Sequence, residues 1–293
     1  MKVNPPVTIE QARRLAKTKL ESSASDSIAL DADILLGFAL KKNRTYLYTW
    51  PEKTLTFAEQ THFLDLLSLR HQGHPIAHLT GEREFFGLTF YVTHDTLIPR
   101  PDTEVLIETA LDKMAPKNNQ AWSFCDLGTG SGAIACALKH QQPNCQATAI
   151  DFSEAALKVA QRNAQRHQLA IRFQQGDWFA PLTSQTFDLL VSNPPYIERQ
   201  DPHLLKGDLR FEPQTALSSG TDGLDDIRLL ISQAPTYLKN EGWLMIEHGY
   251  QQHLVVQGLF KQAGFHHIET RQDYGHRPRI TIGQLKNCSH PTF

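Results

Sequence analysis

The feature that most restricts the fold of this 293-residue chain is an alternation of strand-like and helix-like segments that begins near residue 122. Most of the short apolar runs are followed by a stretch whose apolar residues recur at helical spacing. Parallel strands need such crossover connections, so the alternation predicts a parallel sheet with helices on both faces. We predict strands at 122–127, 146–150, 171–174, 187–191 and 243–247, and helices at 132–139, 154–167 and 224–238.

The two ends of the chain follow other patterns. The tail HIETRQDYGHRPRITIGQL predicts two strands around Gly275, so we expect the sheet to end in an antiparallel pair. The first seventy residues predict a small helical bundle, with capping boxes that begin at Thr8 and Thr56. The helix after Thr56 is predicted to reach Arg70 and to have an apolar side formed by Phe57, Leu64, Leu67 and Leu69.

A short stretch between the bundle and the sheet has strand spacing. In EFFGLTFYV, apolar residues at 86, 88, 90 and 92 alternate with the others, which predicts a hairpin or an extended connector within residues 82–98. The following IPRPDTE places Asp102 or Thr103 where a side chain would cap a helix that runs through Met114.

The composition of the chain argues against several classes of protein. A net charge of −2 argues against a dominant phosphate-binding surface, because nonspecific DNA affinity needs many unopposed cations. No apolar run reaches the roughly 18 residues of a membrane span, and the N-terminus lacks the apolar stretch of a signal peptide. Four cysteines show no zinc spacing, and Gly73 and Pro75 interrupt the His71, His74, His78 series. We therefore expect a cytoplasmic protein without a metal site.

A glycine-rich loop, Asp126-Leu-Gly128-Thr129-Gly130-Ser131-Gly132, lies between the first predicted strand of the sheet and its helix. Glycines let backbone amides approach a ligand, and the helix N-terminus favours a carboxylate or a phosphate. Asp151 ends the second strand, where an acid can accept hydrogen bonds from both hydroxyls of a ribose. The pattern fits a dinucleotide or S-adenosylmethionine, and the loop alone does not decide between them.

The sequence Asn193-Pro194-Pro195-Tyr196 follows the fourth strand, at the edge where open α/β sheets bind ligands. The prolines fix φ and remove two backbone donors, which leaves carbonyls free to face a pocket. The side-chain carbonyl of Asn193 adds a second acceptor, so the pair suits a planar NH2 group, with Tyr196 as an aromatic wall. The alternative is a proline turn in which Asn193 bonds its own loop.

This is the (D/N/S)PP(Y/F/W) motif of methyltransferases that act on amide nitrogens and exocyclic base nitrogens. An amide nitrogen is a poor nucleophile, because its lone pair is delocalised into the carbonyl. Acceptors that hold both N–H bonds would orient the lone pair toward a methyl sulfonium and favour charge developing on nitrogen. No strong general base is needed before the attack.

Nearly the whole chain resembles the peptide chain release factor glutamine methyltransferases of the HemK/PrmC family. The resemblance rests, in order, on PIAHLTGEREFFGLTFYV, LIPRPDTEVLIE, DLGTGSGAIA, GDWF, SNPPYI and FEPQTALSSGTDGL. LIPRPDTE discriminates best, since the sister enzymes that modify a ribosomal-protein glutamine have a PRSP-type sequence there. His78 is a departure, because the family more often has tyrosine at that position.

The resemblance implies a Rossmann-like class I methyltransferase sheet and a role for each motif. Residues Gly128, Thr129, Gly130, Ser131 and Gly132 would bind the methionine part of S-adenosylmethionine, and Asp151 its ribose. Trp178, with Asp177 nearby, would line the adenine pocket. Asn193 and the Pro194 carbonyl would hold the substrate glutamine amide with Tyr196 packing on it, which makes these three the expected catalytic residues. Pro195 would belong to the same substrate site, and Asn193 would also contact the cofactor.

The family's substrate is the glutamine of the GGQ loop in class-1 release factors, and its product cofactor is S-adenosylhomocysteine. The resemblance divides the chain into a helical docking domain at 1–75, a hairpin connector at 76–101 and a methyltransferase domain at 102–293. We expect a monomer whose partner is the release factor, with no membrane and no direct nucleic-acid contact.

Two other functions stay open. An amino-methyltransferase acting on DNA or on a ribosomal-protein glutamine would share the Asn193 motif, whereas a nicotinamide oxidoreductase or a noncatalytic nucleotide-binding module would explain only the glycine loop.

Arg100 and Glu104 either shape the substrate mouth or brace the linker by an ion pair, and we favour bracing. Glu212 would likewise support the active-site loop, and Glu247 has no assigned chemistry.

Overall fold

The computed structural model of this protein describes residues 6–21, 27–115 and 121–286. These residues form two compact units. The first unit contains the described residues up to Glu82 together with Leu205–Phe211. The second contains Arg83–Leu204 and the described residues from Glu212 onward. The boundaries 1–75, 76–101 and 102–293 stay a prediction, and they include residues outside the described ranges.

The first unit is helical, as predicted. Its helices are α1 (Ile9–Leu20), α2 (Ile28–Leu40), α3 (Arg44–Thr49), α4 (Phe57–His71) and α5 (Ile76–Thr80). Both predicted capping boxes are present, with Thr8 accepting from the Gln11 amide and Thr56 from the Glu59 amide. Helices α1 and α4 pack on α2 around one buried apolar cluster. The short helix α3, which Asn43 caps, has no counterpart in the sequence-based prediction.

The predicted apolar side of α4 is partly wrong. The structure buries Phe63, Leu66 and Leu67, whereas Phe57 is 67% exposed and Leu69 is 38% exposed. Leu69 is two positions after Leu67, which at about 100° per residue places it on the opposite side of the helix. Phe57 is the first helical residue and lies at the edge of the packed face.

Of the two alternatives predicted within residues 82–98, the structure shows the hairpin, made of β1 (Glu82–Phe85) and β2 (Leu88–Tyr91). Phe86 and Gly87 in its turn both have positive φ, which matches the right-handed twist of the two strands. Helix α6 (Glu104–Met114) follows a 3₁₀ turn at Pro101–Thr103.

The predicted cap of α6 is wrong, because Thr103 makes no side-chain capping bond and already has helical dihedrals. Asp102 forms an ion pair with Arg279 instead.

The sheet of the second unit has seven strands in the order β5-β4-β3-β6-β7-β9-β8. The strands are β3 (Ser123–Leu127), β4 (Gln146–Asp151), β5 (Ile171–Gln175), β6 (Phe187–Ser192), β7 (Leu238–Glu247), β8 (Phe265–Gln272) and β9 (Pro278–Leu285). The first five pair in parallel, and β9 is antiparallel to both β7 and β8. This confirms the α/β prediction, including the antiparallel C-terminal pair.

Helices cover the sheet on both faces. They are α7 (Ala133–Gln141), α8 (Glu154–Arg166), α9 (Asp225–Tyr237) and α10 (His253–Gln262). Neighbouring residues of β3 alternate between two buried clusters, with Phe124 in one and Cys125 in the other, which is typical of a strand buried on both sides. Within the described ranges, no helix has the length and apolar character that crossing a membrane requires.

The order of the strands determines where a ligand site can form. The chain runs outward from β3 through β4 to β5 and then returns to place β6 on the other side of β3. Ligands bind open α/β sheets at this reversal, beyond the carboxyl ends of the strands. The loops after β3, β4 and β6 therefore meet at one edge, and they carry Gly128, Asp151 and Asn193.

Candidate active site

A cavity of about 390 Å³ lies at this edge of the sheet in the second unit. Its volume falls in the range of roughly 300–1,000 Å³ that is typical of small-molecule sites. Every site residue predicted from the sequence lines it except Gly132, Pro194 and Tyr196. The glycine loop, the acid after β4, the Trp178 turn and the Asn193 turn therefore surround one space.

The glycine loop is held against the end of β4 by backbone hydrogen bonds. The amides of Gly128 and Thr129 both donate to the Ile150 carbonyl, at 2.9 and 2.8 Å. Gly132 has φ of +81°, and a Cβ there would lie 3.0 Å from the Cβ of Ala160 on α8. Glycine is required at this position because the loop combines left-handed dihedrals with close contact to a neighbouring helix.

Asp151 is fixed by the loop that it faces. Its Oδ2 accepts a 2.7 Å hydrogen bond from the Gly130 amide, and its Oδ1 accepts a 2.8 Å bond from the Ser153 amide. Burial raises the pKa of Asp151, and the two amides act in the opposite direction. Each carboxylate oxygen keeps a further lone pair, so this oriented acid can still accept hydroxyl donors from a ligand.

Thr129 contributes to the loop in a way that the sequence did not reveal. Its hydroxyl donates a 2.6 Å hydrogen bond to Asp126 Oδ2, which also accepts the Ala135 amide at 3.2 Å. Burial raises the pKa of Asp126 to about 7. The other oxygen of Asp126 is buried without a hydrogen-bond partner among the described residues. Through Asp126, the Thr129 side chain therefore fastens the glycine loop to strand β3 and to the start of α7.

Two aromatic residues border the cavity beyond the glycine loop. A Cβ on Gly128 would lie 3.0 Å from the Trp178 ring, whose Nε1 donates to Asp226 Oδ1 at 3.1 Å. Phe152, the residue after Asp151, lines the cavity and is 73% exposed. Phe152 was not among the residues predicted from the sequence, although an aromatic residue directly after a strand-ending acid is a usable signal. Asp177 lies exposed at the rim.

Asn193 lines the cavity and bonds a distant part of the chain. Its Nδ2 donates to Thr103 Oγ1 at 3.2 Å, so the alternative in which Asn193 bonds only its own loop does not describe the structure. The Tyr196 hydroxyl donates to Glu247 Oε1 at 3.3 Å, and burial raises the Tyr196 pKa above its usual range. The predicted packing of Tyr196 on a substrate amide stays a prediction.

The structure shows bracing contacts for three further residues. Arg100 forms an ion pair with Glu212 rather than with Glu104. The other oxygen of Glu212 accepts the Ile98 amide at 2.9 Å, and Glu104 accepts the Phe86 amide at 3.0 Å. Glu212 therefore fastens the segment before α6 to the loop that follows the Asn193 turn, and Glu104 fastens the hairpin.

The residues around the cavity fit S-adenosylmethionine. A Cβ at Gly128 would displace Trp178, and the loop residues from Gly128 to Ser131 line the cavity. Beside it, an oriented carboxylate and exposed aromatic rings provide what a ribose and a purine need. Asn193 and Pro195 of the Asn193 turn line the same cavity.

Comparisons with known proteins find matches both for the helical N-terminal part of the chain and for the part that contains the seven-stranded sheet. Residues 118–288 match the model described as a methyltransferase domain, and residues 11–81 match the PrmC N-terminal domain. The chain is 49% identical to the release factor glutamine methyltransferase of Vibrio cholerae over 284 residues, covering 96% of this chain and 98% of that protein. It is 47% identical to the protein of that name from Escherichia coli over 263 residues, covering 89% and 94%.

A solved structure supports the fold. The methyltransferase from Pyrococcus furiosus superposes with a TM-score of 0.52 at 17% identity, covering 69% of this chain and 91% of that one.

Proposed function

This chain belongs to the family of release factor glutamine methyltransferases, and from that premise we propose that it methylates N5 of the glutamine in the GGQ motif of class-1 release factors. The family and the methyltransferase domain make it an S-adenosylmethionine-dependent glutamine methyltransferase. The interpretation as a nicotinamide oxidoreductase or a noncatalytic nucleotide-binding module is therefore wrong.

The observation that carries the proposal is the orientation of the Asn193 side chain. Its nitrogen is engaged by Thr103 Oγ1, so its oxygen is the end that remains for a ligand in the cavity. Pro194 and Pro195 lack backbone N–H groups, so no donor competes with the Pro194 carbonyl for the same guest. A glutamine carboxamide has two N–H bonds in one plane, and these two acceptors would receive one each.

The bound cofactor supplies an electrophilic methyl carbon on a positively charged sulfur. Asn193 and Pro194 would hold both N–H bonds of the glutamine amide and turn its lone pair toward that carbon. As the new N–C bond formed, the bond between that carbon and the sulfur would break and leave S-adenosylhomocysteine, and the two oxygens would stabilise the positive charge that develops on the nitrogen. The nitrogen would then lose one proton to solvent water, and the amide would return to its neutral form. Because the proton leaves after the attack, the reaction needs an oriented glutamine amide and does not need a strong base to deprotonate it first.

The remaining site residues would hold the cofactor. The backbone of Gly128–Gly132 would bind its methionine part, and Asp151 its ribose hydroxyls. Asp177 and Trp178 would border the adenine. Phe152 adds an exposed ring to this group, since a flat purine can lie on an aromatic face.

The partner would be an intact release factor. We keep the expectation that the helical first unit helps to dock this protein, and that the chain acts as a monomer without direct contact to nucleic acid. The match of residues 11–81 to the PrmC N-terminal domain supports this docking role of the first unit.

Peptide mass mapping tests the proposal. The purified chain is incubated with S-adenosylmethionine and an intact class-1 release factor, and one added methyl group is expected on the GGQ glutamine alone. Duplex DNA and large-subunit ribosomal protein serve as parallel substrates. Methylation of either of these, with an unmodified release factor, would contradict the proposal in favour of the alternative amino-methyltransferases.

A further inference from the structure

The backbone of the Asn193 turn has few donors with which to hold its own shape. Pro194 and Pro195 have no N–H group, so two of its four residues cannot donate a backbone hydrogen bond. The proposed reaction nevertheless needs the Asn193 side chain and the Pro194 carbonyl to keep fixed directions. Groups at the two ends of the turn must therefore fix its path.

The start of the turn is attached to the sheet. Ser192 is the last residue of β6, and its buried hydroxyl donates a 2.6 Å hydrogen bond to the Leu127 carbonyl at the end of β3. The turn thus begins from two neighbouring strands that are already paired in parallel. Its other end, the Tyr196 carbonyl, lies beyond the strands and needs a different partner.

Gln252 is that partner. Its Nε2 donates to the Tyr196 carbonyl at 3.0 Å and to the Asp222 carbonyl at 3.3 Å. Its Oε1 accepts the Gly249 amide at 2.8 Å. Gln252 directly precedes α10, Gly249 follows β7, and Asp222 belongs to the loop before α9. One half-buried side chain therefore joins the end of the Asn193 turn to two other loops.

The neighbours of Gln252 leave its amide only one orientation. The Tyr196 and Asp222 carbonyls can only accept a hydrogen bond, and the Gly249 amide can only donate one. A flipped Gln252 would place its oxygen against two carbonyl oxygens and its NH2 group against an N–H group. In the observed orientation both hydrogens and the oxygen of the Gln252 amide are used, so this side chain is itself held in place.

A glycine packs closely against the same carbonyl. Gly223 has φ of +73°, and a Cβ there would lie 2.3 Å from the Tyr196 carbonyl oxygen and 2.9 Å from Gln252 Nε2. The next residue after the turn, Ile197, donates to the Leu217 carbonyl and accepts from the Ser219 amide, both at 2.9 Å. The loop before α9 therefore supports the end of the turn, and Gln252 fastens the two together.

We propose that Gln252 is a positioning residue for methyl transfer: it fixes the Tyr196 end of the Asn193 turn, so that Asn193 and the Pro194 carbonyl keep their directions toward the substrate amide. The inference rests on the proposed function, because it needs these two groups as substrate acceptors. Asn193 lines the cavity and Gln252 does not, so Gln252 acts through the turn without touching the reacting atoms.

The same substitution at two neighbouring glutamines tests the inference. Gln252→Glu keeps the size of the side chain and the oxygen that binds Gly249, but it replaces both donors by an acceptor that repels two carbonyls. In single-turnover methylation of an intact release factor at saturating cofactor, it should slow transfer by about 10- to 100-fold. Gln251→Glu is the matched control, because the exposed Gln251 side chain donates to the Tyr250 hydroxyl, and it should keep the wild-type rate.

A pair of glycine substitutions probes the same contact from the other side. Gly223→Ala would push the Tyr196 carbonyl away without changing Gln252, and it should also slow transfer. Gly264→Ala introduces comparable backbone strain, since φ is positive there too, but its Cβ would meet nothing within 4 Å. It should keep the wild-type rate, so the pair separates displacement of the turn from strain alone.

Binding of S-adenosylhomocysteine separates positioning from general loss of structure. Calorimetry should give Gln252→Glu an affinity close to that of the wild type, because the predicted cofactor contacts of the glycine loop, Asp151 and Trp178 are left in place. The slowing caused by Gln252→Glu should also be smaller in an Asn193→Ala background, where one of the two acceptors that it aligns is missing.

A wild-type rate in Gln252→Glu or in Gly223→Ala would overturn the inference. It would also be overturned if Gln252→Glu weakened cofactor binding as much as it slowed transfer, or if its effect multiplied in full with that of Asn193→Ala. A wild-type rate in Asn193→Ala would instead refute the proposed role of Asn193, so the two failures are distinguishable.

Discussion

The amide of Gly130 donates a 2.7 Å hydrogen bond to the carboxylate of Asp151, which joins the glycine loop after β3 to the acid that ends β4. The two residues follow neighbouring parallel strands, so the sheet itself brings them together. The bond orients the carboxylate along the wall of the cavity before any ligand arrives. Asp151 therefore holds the loop, and in the proposed function it would also offer acceptors to a ribose.

Replacing Asp151 should act on cofactor binding. Asp151→Ala removes charge-assisted bonds of roughly 1.5–3 kcal/mol, so the dissociation constant for S-adenosylmethionine should rise about 10- to 100-fold. Calorimetric titration measures the change. Asp188→Ala is a matched control, because Asp188 also accepts a backbone amide, that of Ser123 at 2.9 Å. Asp188 lies near the start of β6, at the end of the strand that is away from the cavity. Equal affinities in Asp151→Ala and the wild type would refute the ribose role.

Replacing Asn193 should act on turnover. Asn193→Ala removes an acceptor that is proposed to orient the nucleophile, so kcat should fall by about 100-fold or more. The cofactor dissociation constant should change far less than kcat, because most of the predicted cofactor contacts belong to the glycine loop, Asp151 and Trp178. Steady-state kinetics on an intact release factor, with calorimetry beside it, gives both values. If Asn193→Ala and Asp151→Ala lost activity in the same way, the division of roles would be wrong.

The glycine loop predicts a contrast between two glycines. Gly132 and Gly264 both have positive φ, but a Cβ would meet Ala160 at 3.0 Å at the first position and nothing within 4 Å at the second. Alanine at either position should cost about 1–3 kcal/mol of backbone strain. Only Gly132→Ala should also displace the loop from α8 and weaken cofactor binding. Denaturant unfolding and calorimetry separate the two effects, and equal cofactor affinities in both variants would contradict the loop assignment.

Glu247 should make stability depend on pH. Its folded pKa of about 7 lies above the ordinary 4.5, so in this window the folded state holds a proton that the unfolded chain has lost. The free energy of unfolding should therefore fall as pH rises from 4.5 to 7, by at most about 1.4 kcal/mol per pH unit for this group. Glu247→Gln cannot titrate and should gain stability relative to the wild type across this window.

Unfolding of the two proteins in denaturant at several pH values measures the difference. The groups that face the carboxyl, Thr103, Tyr196, Arg279 and Asp102, are the same in both proteins, so the comparison isolates its titration. If the difference in unfolding free energy between the wild type and Glu247→Gln stayed constant from pH 4.5 to pH 7, the Glu247 carboxyl would titrate at its ordinary pKa and the prediction would be wrong.

The sequence predicts those parts of the fold that depend on local patterns. The strands of the sheet, most of the helices and both capping boxes follow from the spacing of apolar residues and from capping residues. The meeting of Gly130 with Asp151 was also predictable, because parallel strands bring their carboxyl ends to one edge.

Contacts between distant segments were not predictable in this way. Thr103 has the sequence signature of a cap, yet its hydroxyl bonds Asn193, which is 90 residues away. The local sequence does not show whether Arg100 pairs with Glu212 or with Glu104. The exposed side of α4 likewise depends on which helices pack against it. The contact of Glu247 with Tyr196 could be recognised only once β6 and β7 were seen side by side.

A structure of the complex with S-adenosylhomocysteine and an intact release factor tests the central claim most directly. We predict that the glutamine amide nitrogen lies within hydrogen-bond distance, about 2.7–3.2 Å, of both Asn193 Oδ1 and the Pro194 carbonyl, and faces the cofactor sulfur. A glutamine bound elsewhere, or an Asn193 that turns its nitrogen toward the substrate, would contradict the account.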